Sequence, residues 1–307
     1  MADPHPKISV LVITYNQERY VSQALDSALM QKTDTAFEIV VGEDCSTDRT
    51  REILLAYREK HPETIRLLMH PRNLGMNRNF GQALAACRGE YIAILEGDDY
   101  WTSPDKLRRQ SDFLDNHPQC AACFHNVAVV HDEGETKDRL FHKPGVLKPF
   151  FSLEDILASH FIPTLSVMFR AGLFGELPDW FYEMPMGDWP LHALNARYGL
   201  YGYIDEVMGC YRVHGEGVWS KQGRRVVLER SALAAETINR HFGYAYDPIL
   251  RELVSAWKRE ALLLRSLEGG FPRNLSFLVK YLRTVAFLGK EYRRGIRAFL
   301  RSKPEGR

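Results

Sequence analysis

Over the first hundred residues, short unbroken apolar runs alternate with stretches of helical periodicity. Residues 7–14, KISVLVIT, are rich in β-branched side chains, which predicts a strand buried on both faces. Residues 37–41, 65–69 and 91–95 repeat that character. Between the first two, residues 17–31 place Tyr20, Val21, Ala24, Leu25, Ala28 and Leu29 at helical spacing. Residues 50–60 and 79–86 read as two more helices, with Ser46, Thr47 and Asp48 as capping oxygens before the first of them. Strict alternation of this kind predicts a parallel sheet wrapped by helices.

Past residue 105 the regularity loosens. Residues 106–116 read as a helix and 121–130 as a strand, followed by a polar loop or ragged hairpin over 132–148. A short helix at 153–159, a strand at 166–170, a helix at 191–198 and short strands at 201–204 and 207–212 follow. From about 224 onward only helical patterns remain, so the expected division is a catalytic body, 1–222, and a helical extension, 223–307. No internal repeat or low-complexity segment interrupts it.

Composition adds one asymmetry. The chain of 307 residues carries a net charge of only +1, yet 274–307 holds nine Lys/Arg against two Glu, a net of +7. The remaining residues therefore carry −6. A basic tail with apolar Phe277, Tyr281, Leu282, Val285, Leu288, Ile296 and Phe299 reads either as an interfacial helix on an anionic membrane or as a helix packed on the body. Residues 1–6 have no basic start or apolar core, and no apolar run reaches the ~18 residues of a membrane span, so no signal peptide or spanning helix is expected. Five cysteines, an odd count, fit reduced thiols in a cytoplasm. Cys120 and Cys123 have redox-motif spacing, but their apolar neighbours predict a buried strand.

The chemistry gathers at strand ends. The run 91–95 stops at Glu96-Gly97-Asp98-Asp99, three carboxylates that resist burial together. A solvated acidic turn is the plain reading; a seat for Mg²⁺ or Mn²⁺ shared with substrate phosphates is the sharper one. Ligands of parallel sheets sit outside the carboxyl ends of the strands, and Tyr15-Asn16, Glu43-Asp44 and the segment 73–78 fall there too.

The ordered set Thr14-Tyr15-Asn16, Glu43-Asp44-Cys45-Ser46-Thr47-Asp48, Asn73-Leu74-Gly75 and Glu96-Gly97-Asp98-Asp99 resembles the family-2 glycosyltransferases. The resemblance covers roughly residues 7–220 and implies a GT-A fold, an α/β, mostly parallel sheet flanked by helices. It implies an inverting enzyme that uses a nucleotide sugar and a divalent metal. Thr14, Tyr15, Asn16 and Glu18 would line the nucleotide pocket. Asp44 would accept a hydrogen bond from the base imide N–H, which favours UDP or dTDP without excluding GDP. Asn73 and Arg78 belong to a loop closing on the nucleotide, with Arg78 facing the diphosphate or Asp98. Glu96 and Asp98 would hold the sugar nucleotide, and Asp98, Asp99 and His214 the metal. Cys45 stands where relatives carry Gly, and Glu96 where they carry Asp.

By the same resemblance Asp188, in Met186-Gly187-Asp188-Trp189, would be the base, with its pKa raised by desolvation. Its plain alternative is a helix cap, and Asp179 and Glu183 are the fallback bases. Gly215 and Gly217 would let the segment after His214 fold over the donor. Trp101, Trp180, Trp189 and Trp219 are either sugar platforms or core. The expected partners are a nucleotide-sugar donor and a glycan, lipid-linked or other hydroxyl acceptor of the cell envelope, with no nucleic acid; the expected location is the cytoplasm, with peripheral contact at the inner membrane face through 274–307 as one reading of the tail. The rival readings are a silent sugar-nucleotide scaffold and a nucleotide-sugar pyrophosphorylase. The second lacks a Gly-rich, basic loop after the first strand.

Overall fold

A computed structural model describes residues 5–131, 139–217 and 221–268. In chain order these form β1 (Ile8–Thr14), α1 (Val21–Leu29), β2 (Phe37–Glu43), α2 (Thr50–Lys60), β3 (Ile65–Met69), α3 (Met76–Ala86) and β4 (Tyr91–Glu96). Then come β5 (Tyr100–Trp101), α4 (Lys106–Asn116), β6 (Cys120–His131), β7 (Arg139–Leu140), β8 (Phe150–Phe151) and α5 (Leu153–Ala158). A 3-10 turn (Thr164–Ser166), β9 (Met168–Arg170), α6 (Asp179–Tyr182), α7 (Asp188–Ala196), β10 (Leu200–Val213), α8 (Arg224–His241) and α9 (Asp247–Glu268) complete the chain.

The strands join one mixed sheet in the order β3-β2-β1-β4-β9-β6-β10-β5, with β7 on β6 and β8 on β10. β1, β2, β3 and β4 pair in parallel, as the alternation predicted. β9 runs antiparallel between β4 and β6. The strand order reverses on either side of β1, so the carboxyl ends of β1 and β4 flank the crevice where ligands of such sheets bind.

Period-two alternation sends β1 side chains to opposite faces. Val10 and Val12 pack with Leu25, Leu54, Leu95 and Leu107 under α1, α2 and α4. Leu11 packs with Phe80, Ile94, Phe124, Phe169 and Trp189 on the other face. That second cluster also takes in Ile238, Leu250 and Leu253, so α8 and α9 share a core with the sheet domain. Trp189 and Trp257 meet edge to face with ring centres 6.0 Å apart. The proposed boundary near 222 therefore falls between elements that share a core. The basic tail, 274–307, lies outside the described residues. Among those residues, no helix is long and apolar enough to cross a membrane.

Several element ends differ from expectation for identifiable reasons. The first helix begins at Val21 rather than near 17. The amides of Gln17 and Glu18 are instead held by Thr50 Oγ1 at the start of α2 and by Asp48 just before it. The third helix starts three residues early, at Met76. The two short strands beyond 200 are one long strand, β10, broken by register shifts near Val207. β7 pairs antiparallel with β6, Leu140 opposite Ala128. Cys120 and Cys123 are buried free thiols on β6.

Candidate active site

The ends of β1 and β2 are stitched together by side chains. Asn16 adopts φ 53°, a left-handed turn that Asn tolerates. Its amide donates to Ser46 Oγ, and its Oδ1 accepts from the Thr47 amide at 2.8 Å. Glu18 accepts from the Arg49 amide at 2.9 Å, so this expected nucleotide ligand is tied to the α2 entrance. Asp48 accepts from the Thr50 and Glu18 amides. Tyr15, just past the end of β1, is left 44% exposed. Thr14 Oγ1 is buried without a partner.

Asp44 is buried at the end of β2. Its two oxygens accept from the amides of Leu74 and Gly75 at 2.7 and 2.9 Å. Asn73 returns a bond to the Asp44 carbonyl. The expected nucleotide loop is thus anchored on the expected base-reading carboxylate. Cys45 has φ 61°, which explains why Gly suits the position. Glu43, fully buried beside it, is held below the usual carboxylate range. Desolvation raises it, but Ser46 and Arg51 outweigh that. Arg78 lies exposed over the Tyr182 ring, 5.4 Å from its centre, and makes no ion pair with Asp98.

The acidic end of β4 is more crowded. Gly97 has no space for a side chain: an added Cβ would lie 2.3 Å from Gln17 Oε1 and 3.0 Å from Thr14. Asp98 Oδ2 accepts from His214 Nε2 at 3.0 Å across 116 residues of sequence. Asp99 is turned inward, and its Oδ1 accepts from the Arg212 amide at 2.7 Å. The Arg212 guanidinium donates to the Asp98 carbonyl and lies over Tyr20 and Tyr100. Burial, and then the charge of Asp98, push Glu96 up to about 8. The same causes push Asp99 well above the usual range.

These residues fit a divalent cation in one respect. The Oε2 of Glu96 and the Nδ1 of His214 are buried without partners, and the carboxyls are electrostatically overloaded. A cation held by Asp98 and His214 would relieve that. Asp99 faces the β10 backbone, and among the described residues no three His, Cys, Asp or Glu form a ready-made metal cage.

Asp188 opens α7, where a carboxylate also favours the helix dipole. Its Oδ1 accepts from the Trp189 amide at 2.8 Å and its Oδ2 pairs with His160 Nε2 at 2.7 Å. Burial alone would raise this carboxyl, as expected of a base in a dry pocket. The outcome is the reverse: the His160 charge and hydrogen bond, then His192, hold it down at about 2. The charge of Asp188 also acts on Glu96, after burial and the charge of Asp98. Asp179 and Glu183 are exposed on and just after α6, Glu183 acting on His241.

Sequence reasoning missed His160, Arg212 and Arg51. His160 follows α5 with no local motif, and its partner is 28 residues away. Of the tryptophans, Trp101 and Trp189 are core, their indole N–H groups donating to the Leu165 and Ile156 carbonyls. Trp180 stacks on His241 at 5.1 Å, and Trp219 lies outside the described residues.

A mostly parallel sheet with acidic residues at its switch point defines a GT-A-type fold. The chain belongs to Glycosyl transferase family 2, whose model matches residues 9–176. It is 39% identical over 213 residues to an uncharacterized protein of Mycobacterium tuberculosis, covering 69% of this chain and 60% of that protein. The chain thus spans less than two thirds of that relative's length. It is 30% identical over 224 residues to the putative teichuronic acid biosynthesis glycosyltransferase TuaG of Bacillus subtilis, covering 72% of this chain and 85% of TuaG.

Two solved structures share the fold. The Staphylococcus aureus TarS fragment 1-349 in complex with UDP-GlcNAc aligns with TM-score 0.55 and 22% identity, over 78% of this chain and 73% of that one. The mannosyltransferase PcManGT of Pyrobaculum calidifontis, in complex with GDP-Man and Mn²⁺, aligns with TM-score 0.58 and 18% identity, over 96% and 85%.

Proposed function

We propose that this family-2 glycosyltransferase inverts the anomeric carbon as it moves a sugar from a nucleoside diphosphate, UDP or dTDP, to a hydroxyl of a cell-surface polymer or its lipid-linked precursor. What supports this reading most is that the charge of Asp188, which opens α7, acts on Glu96 at the acidic end of β4. A donor-side acid group and a base-side carboxylate are what an in-line displacement needs. The named polymer chemistry of TuaG and the UDP-GlcNAc of the TarS complex support the acceptor and donor classes.

Tyr15 offers the ring on which a base can stack, and Asp44 holds the 73–75 loop beside it. Asp98 and His214 are the residues that would hold a divalent cation, as the Mn²⁺ of PcManGT suggests. When bound, the cation neutralises charge growing on the departing diphosphate. Deprotonation of the acceptor hydroxyl depends on Asp188. The oxygen attacks the sugar carbon opposite the leaving group, and the bond to the diphosphate breaks with its electron pair. Excluding water matters, because hydrolysis of the donor competes.

A thermal-shift screen of UDP-, dTDP- and GDP-sugars, with and without Mn²⁺, tests the donor side. A metal-dependent shift with a UDP- or dTDP-sugar is expected. Stabilisation by none of these donors would remove the nucleotide-sugar reading.

A further inference from the structure

The base-side carboxylate is not free. Both oxygens of Asp188 already accept a hydrogen bond, Oδ1 from its own neighbour's amide and Oδ2 from His160. Its side chain is 15% exposed, whereas that of His160 is 40% exposed. The imidazole is therefore the more open member of the pair. With Nε2–H donating to Asp188, the Nδ1 lone pair of His160 is left without a partner among the described residues. A carboxylate that fixes one ring nitrogen as donor leaves the other as the basic atom.

We propose that His160 takes the acceptor's proton on Nδ1, with Asp188 as the carboxylate that orients the ring and stabilises the imidazolium. This deepens the assignment of Asp188 to the base side and rests on it. The acceptor O–H bond breaks, and its proton goes to Nδ1. The oxygen's electron pair forms the new bond to the sugar carbon, and the old C–O pair leaves on the diphosphate. The proton on His160 then returns to solvent through the exposed ring edge.

The surroundings agree. Burial would lower His160, but the charge and hydrogen bond of Asp188 override it and hold the imidazole above its ordinary value of 6.5. The other titratable groups felt at the pair are His192 on α7, pushed down to about 4 mainly by burial, Glu96 at the end of β4 and Tyr211 on β10. His192 is thus neutral near pH 7 and does not compete for the carboxylate as a cation. The Trp189 ring, 6.4 Å from that of His160, backs the pair with core.

The test uses the full chain with Mn²⁺ and UDP-GlcNAc, water serving as acceptor and UDP release as the readout. In the native protein the rate should rise with pH through the His160 pKa measured by imidazole NMR. His160→Gln should lower the rate by about 10²–10⁴, erase that limb and leave calorimetric donor affinity unchanged. In His160→Gly, added imidazole should restore part of the rate, which a purely structural loss would not allow. In Asp188→Asn the His160 pKa should fall. A native rate and pH profile in His160→Gln, with Asp188→Asn inactive, would overturn the His160 role alone. Native turnover in Asp188→Asn would overturn the base-side reading as well.

Discussion

Glu96 ends β4 and Asp188 opens α7, both are largely withdrawn from water, and they ionise in opposite directions. Glu96 rises to about 8 and Asp188 falls to about 2. Desolvation raises both and is the largest single cause in each. What differs is the company. Glu96 has Asp98 for a neighbour and an orphaned Oε2, whereas Asp188 has His160 and a backbone amide. Burial makes a carboxylate sensitive, and the sign of the nearest charge decides what it does. One region holds its carboxyls protonated for want of a counter-charge, which a bound cation would supply. The other has its counter-charge built in.

The largest effect should come from breaking the balanced region. Asp188→Asn should cut transfer, read as UDP release, by about 10³-fold or more while calorimetry still finds donor binding. Equal loss of rate and affinity would mean that the pair shapes the pocket rather than the chemistry. Next, Asp98→Asn should weaken Mn²⁺-dependent donor binding by roughly tenfold or more, the scale of one charge-assisted contact. The same affinity with and without Mn²⁺ in the native chain would remove the cation from the acidic edge.

The overloaded region makes a stability prediction with a definite sign. Glu96 has an ordinary value of 4.5 and a folded value of about 8, so the folded chain holds the proton more tightly. Its contribution to stability is fully present below pH 4.5 and is lost as pH rises toward 8. Glu96→Gln should therefore flatten the melting profile across that window. At pH 8 it should raise the melting temperature by at least about 2–4 °C, the shift for ~1 kcal/mol in a chain of this size. Asp188 behaves oppositely: its contribution is present above 3.8 and lost as pH falls through about 2. A Glu96→Gln melting curve that keeps the native slope would mean that the excess charge is relieved elsewhere.

The smallest effect belongs to the turn after β2. Cys45→Gly should stabilise by about 1 kcal/mol, because a left-handed φ costs a side chain roughly that much. Calorimetric melting of the variant checks it, and an unchanged melting temperature would show that the Cys45 contacts offset the strain.

Much of this was legible in the chain. The parallel half of the sheet follows from four apolar runs separated by helical periods, since both patterns are local. The acidic end of β4, the Glu43-Asp44 pair and Asp188 were legible because each sits where a strand or helix begins or ends. The start of α1 was not, because its amides are claimed by side chains about 30 residues away. Nor was the resting state of Asp188, since desolvation was foreseen and His160 was not.

Local pattern along the chain is enough to say which elements form and which carboxylates stand at their ends. How those carboxylates differ in ionisation comes from long-range contacts. The tertiary structure brings His160 to Asp188 across 28 residues, His214 to Asp98 across 116 and the Arg212 amide to Asp99 across 113. Strand and helix periods depend on near neighbours in the chain. An ionisation state depends on the field of near neighbours in space, and no spacing along the sequence records that.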